Sequence, residues 1–189
     1  MRTLAVVAAL LLTAGSAQAQ APSEPAPCAG QVQVNPSFEA GPAGWTAGPR
    51  MVVLAGPDRP AHTGRAYATF AGLDVTRTDV LRATVTIPAG CGLDVRFFGR
   101  ASSTETSRGD YLNMGLAVTG IPPKTRYSFA FDMAREWQQY GAVTAPAATE
   151  RTATIAFVAS ETAGGGVTTF DVDDVTATLQ PAAGTAANM

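Results

Sequence analysis

The chain has 189 residues, a formal net charge of −2 and only 15% charged residues. This weakly acidic balance argues against nucleic acid or an anionic membrane surface as partner. With one histidine and two cysteines, a structural zinc site, which takes four such ligands, is excluded.

The chain opens with the pattern of a secretory signal, expected over residues 1–19. Arg2 supplies the positive start, Leu4 to Leu12 the apolar stretch, and Ala17-Gln18-Ala19 the cleavage site. The apolar run is too short to span a membrane, and no other stretch is long enough. A secreted chain of about 170 residues, periplasmic or extracellular, is expected, and that length suits one domain. Loss of Arg2 takes the net charge from −2 to −3. Ala26-Pro27 before Cys28 does not match a lipobox, so no lipid anchor is expected. Residues 20–30, rich in Ala, Pro, Ser and Glu, read as an extended leader. In an exported protein Cys28 and Cys91 read as a disulfide; two buried free thiols are the alternative.

From residue 31 to 180 the pattern is one of strands and turns. Leu81, Ala83, Val85 and Ile87 alternate with Arg82, Thr84 and Thr86, and Leu93, Val95 and Phe97 alternate with Asp94, Arg96 and Phe98. With Pro88-Ala89-Gly90 between them, the two runs read as a β-hairpin. The same period recurs at Leu112, Met114, Leu116 and Val118, at Tyr127, Phe129 and Phe131, and around Ile155 and Phe157. Asp132 to Tyr140 reads as a strand beginning near Trp137, or as a helical turn. In Phe170 to Leu179, Phe170 and Val172 share one parity while Val175, Ala177 and Leu179 share the other. The slip falls at Asp173-Asp174, the signature of a β-bulge. Residues 181–189 read as a flexible tail. Many short strands with turn signals between them predict an all-β fold, a β-sandwich.

No nucleophile elbow, phosphate-binding loop or dinucleotide fingerprint occurs, so no enzyme is expected. His62, in Pro60-Ala61-His62-Thr63-Gly64, reads as a turn residue rather than a general base. Glu105, Asp110, Asp132 and Glu136 read as solvated acids before they read as a glycosidase pair. Arg108-Gly109-Asp110 reads as a turn with glycine at its tip, although it spells an integrin-type tripeptide.

Two stretches at opposite ends bear on a site. Asn35 to Trp45 (NPSFEAGPAGW) carries Glu39 after the apolar Phe38, and Phe170 to Leu179 (FDVDDVTATL) carries Asp173 and Asp174. A fold that joins first and last strands sets these acids side by side, as an all-oxygen site for a hard cation; two solvated acids at a kink are the alternative. A ligand face is expected opposite the core parity. Arg96, Phe98 and Arg100 share one side of their strand, and Tyr111 and Asn113 share the non-core side of theirs. If those strands are neighbours, the five line one sheet face with the flat rings and planar hydrogen-bonding groups that sugars need.

The opening and ending stretches also resemble the β-jelly-roll carbohydrate-binding modules of the family-4/9 type, within the galactose-binding-like superfamily. Ala61 to Phe70 (AHTGRAYATF), Val85 to Ser103 (VTIPAGCGLDVRFFGRASS) and Glu136 to Pro146 (EWQQYGAVTAP) resemble further segments of that pattern in order, so the likeness runs from Gln31 to Leu179. The resemblance implies a jelly-roll topology, carbohydrate as ligand and a structural calcium. It singles out Asp173 as the direct ligand of the pair and implies carbonyl ligands from His62 to Gly64. It also implies that Trp45 and Trp137 pack the core, and it places Phe98 where the family often has tryptophan. A structural or adhesive extracellular protein of the same fold is the competing reading.

Overall fold

The computed structural model describes residues 28–181, apart from 107–108 and 131–132. The expected signal, most of the leader, most of the tail, Arg108, Phe131 and Asp132 lie outside the described residues. Ten strands follow one another: β1 (Thr46–Ala47), β2 (Val52–Leu54), β3 (Ala66–Ala71), β4 (Arg77–Ile87), β5 (Cys91–Ser103), β6 (Tyr111–Val118), β7 (Lys124–Phe129), β8 (Gln138–Thr144), β9 (Arg151–Glu161) and β10 (Thr168–Pro181). They form two five-stranded antiparallel sheets, ordered β1-β4-β9-β6-β7 and β2-β3-β10-β5-β8. The fold is the all-β sandwich that the alternating pattern predicts, with the jelly-roll topology that the family resemblance implies. Among the described residues no helix is long and apolar enough to cross a membrane.

The alternation works because a strand turns successive side chains to opposite faces, so one parity goes inward from each sheet. Leu81, Ala83, Val85 and Ile87 of β4 meet Leu93, Val95 and Phe97 of β5 in one core. Phe97 is its aromatic centre, with ring centroids 5.0 Å from Phe157, 5.4 Å from Tyr140 and 6.1 Å from Tyr127.

Two expectations about connection need correction. β4 and β5 do not form a hairpin: β4 pairs with β1 and β9, β5 with β10 and β8. The Pro88–Gly90 turn therefore carries the chain from one sheet to the other. Both arrangements bury the same parity, so alternation cannot tell them apart. For Asp132 to Tyr140 the strand alternative is the one observed, with β8 beginning at Gln138.

The predicted bulge is present. The β10–β5 register shifts between Asp173 and Thr176, and Asp174 takes φ 48°. Just ahead of the strands, residues 30–36 run beside β10, with Val32 N donating to Ala177 O at 2.8 Å and Val175 N to Pro36 O at 2.8 Å. First and last segments are thus adjacent, as the acid pattern requires.

Cys28 and Cys91 form a disulfide across 63 residues, tying the start of the domain to the β4–β5 turn. By chain entropy a loop of that length is stabilised by about 4 kcal/mol. Denaturant unfolding with and without reductant is expected to differ by about that amount, with non-reduced peptide mapping recovering the Cys28–Cys91 pair. An unchanged midpoint would show that the bond constrains nothing.

Candidate functional site

The acids singled out in the sequence gather on one turn, residues 61–66, from two directions. Glu39 Oε1 accepts from the amides of Arg65 (2.7 Å) and Ala66 (2.9 Å). Those bonds hold its carboxyl below the usual range. Gly64 allows the approach: it sits at φ 63°, with the Glu39 carboxylate against its Cα where any Cβ would collide. Asp173, 0% exposed, accepts through Oδ2 from the amides of His62 (2.9 Å) and Thr63 (3.2 Å) and through Oδ1 from that of Asp174. Burial pushes its carboxyl up to about 7, against the pull of those amides. Asp174 Oδ2 lies 2.6 Å from His62 Nδ1, and its Oδ1 accepts from Thr63 Oγ1 at 2.7 Å. Among the described residues no three His, Cys, Asp or Glu side chains cluster as metal ligands do. The carboxylates face N–H and O–H donors.

The clasped turn lies against the outer face of the β2-β3-β10-β5-β8 sheet, where a second cluster is built around Asp171. Asp171 pairs directly with Arg100 on β5 and with Thr69 on β3. Its Oδ1 accepts from Thr69 Oγ1 (2.9 Å) and its Oδ2 from Arg100 Nε (2.9 Å). Arg59 adds Nε (3.0 Å) and Nη2 (2.9 Å) to the same oxygen. Asp171 is 0% exposed, so this charge is held by two guanidiniums rather than by water.

Rings enclose the guanidinium of Arg100. Its Cζ stands 4.3 Å above the Trp137 ring and 5.6 Å from that of Tyr67, within cation–π range. Burial raises the Tyr67 phenol pKa. His62 stacks on Phe98 at 3.5 Å and meets Trp137 edge-on at 6.0 Å. Arg100 Nη2 and Trp137 Nε1 are both shielded from water without a hydrogen-bond partner. Beside this cluster opens a cleft of about 430 Å³, lined by Asp58, Arg59, Pro60, Arg100, Arg135 and Glu136, with the backbone side of β5 beneath.

Arg96, Phe98 and Arg100 share the outer face of β5, as the parity implies. Their surroundings differ. Arg96 is exposed and bonds Asp94 at 2.8 Å, Phe98 is covered by His62, and Arg100 is bound to Asp171. Tyr111 and Asn113 are not beside them. β6 lies in the other sheet, between β9 and β7, so these two residues face outward on the opposite side of the sandwich. The condition that β5 and β6 be neighbours fails, and the five-residue face with it. Trp45 packs the core at 8% exposure. Trp137 does not: it lies outside the core, over Arg100. Asp171, Arg59, Tyr67 and Arg135 were not singled out. Asp171 shares the parity of Asp173 in Phe170-Asp171-Val172-Asp173, so an acid on the outer face was readable, but its pairing with Arg100 depends on the β10–β5 register.

No protein-family model matches the sequence, and no curated protein matches it. Solved structures do. TmCBM61, solved in complex with beta-1,4-galactotriose, is 19% identical, with a TM-score of 0.53 over 80% of this chain and 99% of that one. A family 16 carbohydrate-binding module is 13% identical, with a TM-score of 0.51 over 77% and 98%. A cyclase from Fischerella sp. TAU is 13% identical, with a TM-score of 0.57 over 82% and 98%. The chain therefore has the jelly-roll sandwich found in carbohydrate-binding modules, a fold that also carries an enzyme.

Replacing Asp171 with Asn leaves two guanidiniums around a group that no longer balances them. Asp171→Asn is expected to destabilise the domain by about 3 kcal/mol. Arg96→Ala, which removes an exposed, solvent-screened ion pair, is expected to change stability far less. Chemical denaturation of both variants checks the contrast, and equal effects would refute the buried role of Asp171.

Proposed function

We propose that the protein is an exported, non-catalytic carbohydrate-binding module whose ligand lies in the cleft beside Arg59, Arg100, Arg135 and Trp137. The observation that carries this reading is the Arg100 guanidinium, which lines a cleft of about 430 Å³ and is stacked against the indole of Trp137. Sugar binding needs a flat apolar face for C–H groups and fixed planar donors for hydroxyls, and both are here within one residue layer. Two fold neighbours are carbohydrate-binding modules, and one was solved with a galactose trisaccharide. Asp171 accepts four hydrogen bonds, which supports a binding role over acid–base work, since its oxygens are already taken up by donors from the protein. The disulfide and the signal-like start of the chain support export.

The competing reading, a structural or adhesive protein, draws on the other sheet. Its outer face carries Thr84, Thr154 and Ala117 in one rank across β4, β9 and β6, and Thr86 beside Thr152 in the next. Around those ranks the face is covered by small residues, with Arg82 and Val80 further along β4 and Tyr111 at one end of β6.

Binding of β-1,4-galactotriose and longer galactan fragments, followed by titration calorimetry, separates the two. Trp137→Ala is expected to weaken binding about two- to tenfold, the worth of an aromatic contact, with the melting temperature little changed. Tyr111→Ala is expected to bind normally. The reverse pattern would move the ligand to the opposite face.

We also propose calcium for the Glu39, Asp173 and Asp174 corner. The lone pairs of Glu39 Oε2 and the carbonyls of the 62–64 turn are the oxygens that a hard cation would add to these acids. Calcium is then expected to raise the melting temperature and chelator to lower it, by mass action on the native state. A curve indifferent to both would leave the amide bonds as the whole of the tie.

A further inference from the structure

The cleft has an unbalanced charge at its floor, and the observation bears on what kind of sugar fits. Asp171 brings one negative charge to two guanidiniums, Arg59 and Arg100. One positive charge is therefore left over, and Arg100 is only 11% exposed, so water screens it poorly. At the rim, Asp58, Arg135 and Glu136 are exposed, and charges there are screened by solvent and salt. Among the described residues Asp171 is the one carboxylate in ion-pair contact with Arg59 and Arg100, while Asp58 and Glu136 stand with Arg135 around the cleft.

Hydrogen bonding points the same way. The capacity left open in the cluster is donor capacity: Arg100 Nη2 and the indole Nε1 of Trp137, both buried and without partners. A guanidinium has only donors, and its geometry matches a carboxylate. A sugar hydroxyl brings a proton of its own and no charge. Resting on the carbohydrate-binding reading above, we propose that the ligand is a carboxylated saccharide, a chain containing uronic acid, whose carboxylate is received by Arg100 Nη2. That nitrogen is now shielded from water, and the Trp137 ring lies 4.3 Å from the guanidinium carbon. Binding therefore moves the indole off Arg100 and onto the ligand, with Arg135 meeting the chain at the rim.

The test uses the whole mature protein and four probes of matched length: oligogalacturonate, its methyl ester, a neutral β-1,4-galacto-oligosaccharide and oligoglutamate. Oligogalacturonate is expected to bind about tenfold or more tighter than the ester or the neutral chain, the range of a charge-assisted hydrogen bond. Its affinity is expected to fall with added salt. Arg135→Gln is expected to weaken the acidic chain more than the neutral one. Only two tryptophans are present, and Trp45 is fixed in the core, its Nε1 on Asn35 O at 3.2 Å. A shift in tryptophan emission on binding, lost in Trp137→Phe, therefore reports the indole. Equal affinity for acid and ester overturns the carboxylate and leaves the carbohydrate reading standing if Trp137→Ala weakens the neutral chain. Oligoglutamate binding as well as oligogalacturonate overturns the sugar and retains only the anion. No binding of any saccharide overturns both readings.

Discussion

The outer face of the β2-β3-β10-β5-β8 sheet is organised by one buried carboxylate. Asp171 sits on the central strand β10 with polar partners on both neighbours, Thr69 on β3 and Arg100 on β5. It also takes both the Nε and the Nη2 of Arg59 from the loop ahead of the 61–66 turn. A buried charge without partners costs several kcal/mol, so these four contacts are mutually required. The cleft follows from them: Arg59 forms one wall because Asp171 holds it there. Arg100 lies flat under Trp137 because its Nε is turned to the same oxygen.

The β-bulge sets which acids can take part. Before the slip, Asp171 and Asp173 point to the outer face and Phe170 and Val172 to the core; after it, Val175 and Ala177 are the buried positions. The strand so changes its role part-way. Its first half supplies charged groups to the face that carries the cleft, and its second half pairs with residues 30–36 through backbone hydrogen bonds. Asp174, in the left-handed region at the slip, is aimed aside at His62 and Thr63. His62 in turn is fixed against Phe98. The corner that holds the turn and the aromatic layer that borders the cleft share this one histidine.

Alternation made most strands legible, because burial parity is a property of each strand alone. The bulge was legible for the same reason, as a break in parity. Glu39, Asp173 and Asp174 were recognisable as a meeting point from their place in the first and last segments. What could not be read was which strand lies beside which. Pro88-Ala89-Gly90 suits a hairpin and a crossing between sheets equally well, and Tyr111 was placed on the wrong side of the sandwich by the same ambiguity. The pairing of Asp171 with Arg100 joins residues 71 positions apart and exists only in the β10–β5 register. Trp137 stands at the entry to β8, one residue before the strand, where no alternation marks it as inside or outside.

The disulfide has a mechanical consequence. Cys91 begins β5, and Arg100 lies near its other end, about 30 Å away at the rise of an extended strand. A load applied between the Cys28 end and the Arg100 side of the cleft therefore runs along β5. The hydrogen bonds from β5 to β10 and β8 lie across that axis, so they bear the load together in shear instead of opening one after another. Because Cys28 is joined to Cys91, the chain between them cannot be drawn out first. A strand loaded this way resists as a unit, with its two flanking ladders sharing the strain.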